Sequence, residues 1–281
     1  MSESIFLADG RTAAPAESQP GGERFLATEH ASGPWDPGAL HGGAPAALIT
    51  TAFEQLAPQA GLRIARLSFE LLRPVPFEPL TVSTRIVRDG RRVQQLAAEL
   101  HAGEQLVCRA AALRVQEVPH GLPASDTLGS CEGEAGQRPA MPGPQEGRLV
   151  RFALDDAERL SFAASAMEMR WLSDPSRLGP GRVWMRLRHA LVDDEPATPL
   201  ARLAATADFG NGVSALLPFE RFLFINADLS IHLHRAPAGE WIGLDAHTLL
   251  HPGGMGLAES VLHDLQGPVG RAFQTLVVAP R

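Results

Sequence analysis

Ser68-Phe69-Glu70-Leu71-Leu72-Arg73 and, 162 residues further along, Ser230-Ile231-His232-Leu233-His234-Arg235 are the stretches that decide the fold. Both have the alternation of a strand with one buried face. The register between them holds without a gap. Glu78-Pro79-Leu80 falls on Glu240-Trp241-Ile242, Leu100-His101 on Leu262-His263, and Arg109-Ala110 on Arg271-Ala272. A shift that persists in this way implies an internal repeat of one structural unit.

Outward from these stretches, each half reads as a helix followed by four strands. In the first half, residues 42–56 are rich in Ala, Leu and Ile, opened by His41-Gly42-Gly43 and closed before Pro58. This helix is nearly apolar all round and should be buried on most sides. Strands are expected near 63–72, 80–88, 91–101 and 105–115, joined by tight turns such as Asp89-Gly90 and Ala102-Gly103. The second half repeats the pattern, with a helix near 199–208 and strands near 223–234, 241–249, 256–263 and 269–278. The expected fold class is α+β, two repeats each with an antiparallel sheet wrapped around a central helix. Between Pro119 and Arg148 the composition turns to Pro, Gly, Ser and Glu without aliphatic periodicity, as in a linker. The predicted divisions are a flexible tail over 1–22, a first unit over 23–118, a linker over 119–149 and a second unit over 150–281.

Composition narrows the function. The chain has 281 residues, is 44% hydrophobic and carries a net charge of −7. No long apolar run suggests a membrane span, the first residues lack the basic start of a signal peptide, and a cytoplasmic location is expected. Nothing resembles the basic stripe of a nucleic-acid binder. All 25 basic residues are arginine, a bias better ascribed to a GC-rich genome than to function. The two cysteines, Cys108 and Cys131, are too few for a disulfide framework and lack the spacing of a zinc site, so both read as free thiols.

Several segments together resemble the bacterial type II acyl-CoA thioesterases and their thioesterase-like relatives. They are the Gly-Gly helix start, Ser68 to Pro74, Val87-Arg88-Asp89-Gly90-Arg91, Ile225-Asn226-Ala227-Asp228-Leu229-Ser230, His247-Thr248 and Phe273-Gln274. The resemblance implies a double hotdog acting on an acyl-CoA in lipid metabolism, without cofactor or metal. It also implies that an Asp, a Thr and a Gln, one on each of three strands of the second unit, activate the hydrolytic water; the positions that match are Asp228, Thr248 and Gln274. Family habit and exposed sheet edges suggest a homodimer. The long linker, His232 and His234, and Pro252-Gly253-Gly254 depart from the pattern.

The repeat offers an independent check on those three residues. Asp228 lies opposite Arg66, Thr248 opposite Ile86 and Gln274 opposite Ala112, so each is unmatched in the first half. Thr248 and Gln274 fall in the apolar phase of their strands. Asp228 alternates with Leu229, Ile231 and Leu233, and points inward only if the strand bulges or its other face lines a cleft.

A thioester carbonyl is electrophilic and its thiolate leaves readily, so a positioned water and a base suffice without a covalent nucleophile. Asp228 is the expected base, with the backbone N–H groups of Gly42 and Gly43 holding the oxyanion beside His41. Arg73, Arg88, Arg91, Arg92 and Arg235 sit near predicted strand ends, where they could meet the phosphates of coenzyme A, although a plain surface role is favoured for each. Two rival readings are a hotdog enoyl-CoA hydratase using Asp36 and His41, and an acyl-CoA binding protein without activity.

Overall fold

The computed structural model describes residues 4–11, 22–36, 38–118, 141–150 and 160–281. Its strands, in chain order, are β1 (Phe6–Arg11), β2 (Glu23–Ala27), β3 (Leu62–Leu71), β4 (Leu80–Arg88), β5 (Val93–Ala102), β6 (Gln105–Gln116), β7 (Arg148–Leu149), β8 (Met167–Trp171), β9 (Gly181–Leu187), β10 (Phe222–Asn226), β11 (Asp228–Leu233), β12 (Ile242–Leu250), β13 (Met255–Asp264) and β14 (Gly267–Pro280). Three α-helices accompany them: α1 (Gly43–Gln55), α2 (Pro199–Ala207) and the short α3 (Gly210–Val213).

The strands form one antiparallel sheet ordered β1-β2-β4-β5-β6-β3-β11-β14-β13-β12-β9-β8-β7, with β10 also pairing with β14. The order mirrors about the β3–β11 seam: β6, β5 and β4 follow β3 on one side as β14, β13 and β12 follow β11 on the other. The register at the seam obeys the same symmetry. Ser68 pairs with Ser230, the residue that the repeat aligns with it, while Glu70 faces Asp228 and Arg66 faces His232. Two copies of one strand pattern thus meet antiparallel, and the interrupted edge that each would expose alone is closed by the other.

The helices α1 and α2 pack against each other, α1 also on β4 and β5 and α2 also on β9 and β12. Their direction is antiparallel: Gly42 and Gly43, at the start of α1, approach Ala205 and Asp208 at the end of α2, whereas Glu54 near the end of α1 meets Thr198, the N-cap of α2. Most of α1 is buried from Gly43 through Thr50, as its apolar composition requires. None of the described helices is long and apolar enough to cross a membrane.

Two expected boundaries shift. Residues 4–11 are not part of a flexible tail: Ile5 and Phe6 are fully buried, β1 pairs with β2, and Phe6 N–H bonds Leu191 O across the molecule. The end of the expected linker is packed too, since β7 pairs with β8 and Pro142 O accepts from the indole of Trp184. Apolar groups there repay the ordering that composition alone argues against. Residues 119–140, with Cys131, lie outside the described residues, as does Pro37. Finally, the strand expected over 223–234 is two strands, because Ala227 interrupts it.

Candidate active site

Asp208 caps the end of α2 and is 4% exposed. Both of its carboxylate oxygens are held. Asn226 Nδ2 donates to Oδ1 at 2.7 Å, and Gln274 Nε2 donates to Asp208 O at 3.0 Å with Oδ1 at 3.4 Å. His41 Nδ1 lies 3.0 Å from Oδ2. Asn226 is the last residue of β10 and Gln274 sits in β14, so two strands and two helix ends converge on one buried carboxylate.

The close crossing explains the glycines. A Cβ on Gly42 would lie 2.9 Å from Asp208 Oδ2, and one on Gly43 would collide with Ala205 O. Gly210, the first residue of α3, leaves the room that Gln274 Oε1 occupies beside it, and that oxygen accepts from Asn211 N at 2.9 Å. The imidazole of His41 stacks on Phe209 with ring centroids 4.2 Å apart, and Phe162, from a π-helical turn over Phe162–Ala166, flanks it at 5.2 Å.

This cluster forms part of the wall of a cavity of about 540 Å³, the size of a small-molecule site. His41, Gly42 and Asp208 supply polar groups; Trp35, Leu71, Phe219, Leu223, Ile225 and Val277 supply apolar wall. A larger cavity of about 810 Å³ lies beside Thr51 and Gln55, but its acids Glu23, Asp193 and Glu195 are exposed or half-buried. Of these two cavities, the smaller is therefore the one whose wall carries a buried carboxylate and imidazole.

No hydrogen bond joins any two of the three residues expected to share a water. Gln274 reaches Asp208, and none of the three lines the cavity. Asp228 follows the interruption at Ala227, where β14 pairs first with β10 and then with β11 in shifted register. Its Oδ1 accepts Thr275 N–H at 2.7 Å and replaces the missing ladder bond. A bulge, one of the two alternatives that the strand phase left open for Asp228, is present, and the carboxylate fills it. Thr248 pairs with Ala258, which pairs with Gln274, so one strand separates them and their Cα atoms are roughly 10 Å apart. Its hydroxyl instead shares a 2.7 Å hydrogen bond with Ser214, which bonds Gly210 O.

Other expected groups divide similarly. The Gly42 N–H has no partner among the described residues and borders the cavity, whereas Gly43 N lies 3.1 Å from His41 Nδ1 and does not line it. Arg73 lines the cavity and is exposed; Arg88, Arg91 and Arg92 are exposed away from it. Arg235 is committed to a bidentate pair with Asp264, both contacts at 2.6 Å. Asp36 lines the cavity but is exposed and accepts Gly38 N–H in a turn.

Asp208 and Asn226 are the residues that the sequence reading missed. Asp208 is the one charged residue between Leu203 and Leu217, which was a usable signal. Asn226 stood inside a quoted motif but was passed over for its neighbour.

Solved structures of similar fold include an acyl-CoA thioesterase II from Mycobacterium marinum, at 18% identity over 86% of this chain and 90% of that one, TM-score 0.62. A protein with a hotdog fold from Alicyclobacillus acidocaldarius gives 16% identity, 92% and 93% coverage and TM-score 0.67. The TesB protein of Mycobacterium avium subsp. paratuberculosis gives 15%, 92% and 93%, and 0.60. Among curated proteins, none matches this sequence. At these identities the likeness shows the fold, a hotdog, and the sequence families decide membership. The model of the acyl-CoA thioesterase N-terminal domain matches residues 31–115 and that of the acyl-CoA thioesterase C-terminal domain matches 136–278. With most of its length covered by these two domains in order, the chain belongs to the acyl-CoA thioesterase family.

Proposed function

We propose that this chain is a double hotdog that hydrolyses an acyl-CoA to the free acid and coenzyme A, by direct attack of water at the His41–Asp208 end of the smaller cavity. The observation that carries the reading is a buried carboxylate, held by Asn226 and Gln274 and paired with an imidazole, in the wall of a largely apolar cavity. An acyl chain would lie along that apolar wall. The unengaged Gly42 N–H, beside the positive end of α1, suits the oxyanion. Arg73 is placed to meet a phosphate of coenzyme A at the mouth. This reading gives Gln274 the support of the Asp208 carboxylate in place of the water-holding role expected from the sequence, and gives Asp228 and Thr248 no part.

Thiol release from a series of straight-chain acyl-CoA esters tests the reading. The expected result is turnover that Asp208→Asn lowers by roughly a hundredfold or more, the usual worth of a general base or its partner. Tight binding without thiol release would favour a binding protein. Hydration of an enoyl-CoA abolished by Asp36→Asn, with no hydrolysis, would favour the hydratase.

A further inference from the structure

We propose that His41 is the proton carrier of the site: it takes a proton from the attacking water and delivers it to the departing sulfur, while Asp208 orients it. The proposal rests on the acyl-CoA hydrolase reading above and names the group that moves the proton within it.

Three observations point to His41 rather than to the carboxylate it faces. First, Asp208 is occupied on both oxygens, by Asn226 on Oδ1 and by His41 on Oδ2. Second, the imidazole has one nitrogen committed and one free. Nδ1 lies 3.0 Å from Asp208 Oδ2 and 3.1 Å from Gly43 N, and a single ring nitrogen cannot donate to the first and accept from the second. A lone pair on Nδ1 would oppose a carboxylate lone pair, and the charge-assisted bond is about twice as strong as a neutral one, so the proton belongs on Nδ1 toward Asp208. That assignment leaves a lone pair on Nε2. No group among the described residues engages Nε2, it is not among the buried polar atoms lacking partners, and the residue lines the cavity. Third, the ring cannot drift, because Phe209 and Phe162 bracket it. A base on a fixed ring in the wall of an apolar cavity suits general-base catalysis.

The step balances without a further reactant. As the water oxygen bonds to the carbonyl carbon, one water proton passes to Nε2 and the carbonyl π pair moves to oxygen, beside the Gly42 N–H. The resulting imidazolium faces the Asp208 carboxylate. When the oxyanion pair re-forms the carbonyl, the C–S bond breaks with its electrons on sulfur, and sulfur takes the Nε2 proton. The products are acid and thiol, with His41 neutral again.

Steady-state thiol release by the full chain, on hexanoyl-CoA and palmitoyl-CoA, tests the assignment with His41→Ala, His41→Gln and Asp208→Asn. The expected result is a kcat lower by roughly a hundredfold in both His41 variants, with KM changed by no more than about threefold. Millimolar imidazole should restore His41→Ala at least about tenfold, having a vacated slot between two phenyl rings to enter, and should not restore Asp208→Asn. The double variant His41→Ala/Asp208→Asn should be no slower than the slower single variant, as for residues acting as a unit. His41→Gln at wild-type kcat beside an inactive Asp208→Asn would overturn the proposal and give the water to the carboxylate. Loss in His41→Ala that imidazole does not relieve would also overturn it, reducing His41 to a packing role. Wild-type protein releasing no thiol from either ester would instead remove the hydrolase reading itself, and this proposal with it.

Discussion

A carboxylate at the C-terminal end of a helix faces the negative pole of that helix, so the position of Asp208 is unfavourable until something offsets it. The offset comes from α1, whose positive end and His41 lie against it, and from the amides of Asn226 and Gln274. Asp228 is the contrasting case, half-buried and closing a bulge through one backbone bond. We expect Asp228→Asn to keep kcat within about threefold of wild type in a thiol-release assay, because the amide oxygen still accepts from Thr275. Burial, with Glu70 and Asp208 adding to it, pushes the Cys108 thiol up to about 12. Alkylation at neutral pH, mapped by peptide mass, should therefore spare Cys108 in the folded protein and reach it after unfolding; equal labelling in both states would contradict this. Residue roles were only partly legible in the sequence. Gln274 was named by the family resemblance, and its polar group in an apolar strand phase agreed with a need for partners. Asp208 was missed because its partners lie 18 and 66 residues away, on strands whose approach to the helix end no local pattern encodes.

At the scale of elements, alternation and turn chemistry made β3 to β6 and β12 to β14 legible to within a few residues, and helix periodicity did the same for α1 and α2. Not legible were β1, β2 and β7 to β9, which are short or lie in segments where Pro, Gly and charge suggest loops; their order comes from distant pairing. The Gly42-Gly43 pair is a packing requirement between elements. Gly43→Ala would push α1 from Ala205 O, and we expect a loss of about 1–3 kcal/mol in denaturant unfolding together with reduced turnover. Two buried carboxylates of the second half, Asp264 and Glu168, are held by half-exposed arginines. Burial works against the charge on Asp264 and Glu168, but hydrogen bonds from Arg235 to the first and from Arg186 and Arg170 to the second outweigh it and hold both carboxyls below their usual range. Depressed carboxylates contribute stability above the unfolded value of about 4 that is lost as pH falls through the lower folded value. Acid unfolding should thus set in below about pH 4, and Asp264→Asn, which leaves a half-exposed Arg235 that can hydrate and keeps its backbone partners, should cost about 1–2 kcal/mol at neutral pH.

The whole molecule is close to symmetric and its chemistry is not. The sheet mirrors about Ser68 and Ser230, and the antiparallel helices present two equivalent ends. At one end His41 faces Asp208 beside the smaller cavity. At the other, Glu54 accepts a hydrogen bond from Thr198, with Arg114 nearby, and no imidazole among the described residues attends it. The repeat pointed to specialised halves through Asp228, Thr248 and Gln274, of which only Gln274 reaches Asp208, and it did not single out Asp208. The account therefore claims one catalytic site per chain, built from the helix start of the first half and the helix end and strands of the second. The most direct test is kcat for acyl-CoA hydrolysis in Asp208→Asn and Glu54→Gln, measured side by side. The account predicts a loss of roughly a hundredfold or more in the first and a rate within about twofold of wild type in the second. Half the activity surviving in each would mean two working sites and would contradict it.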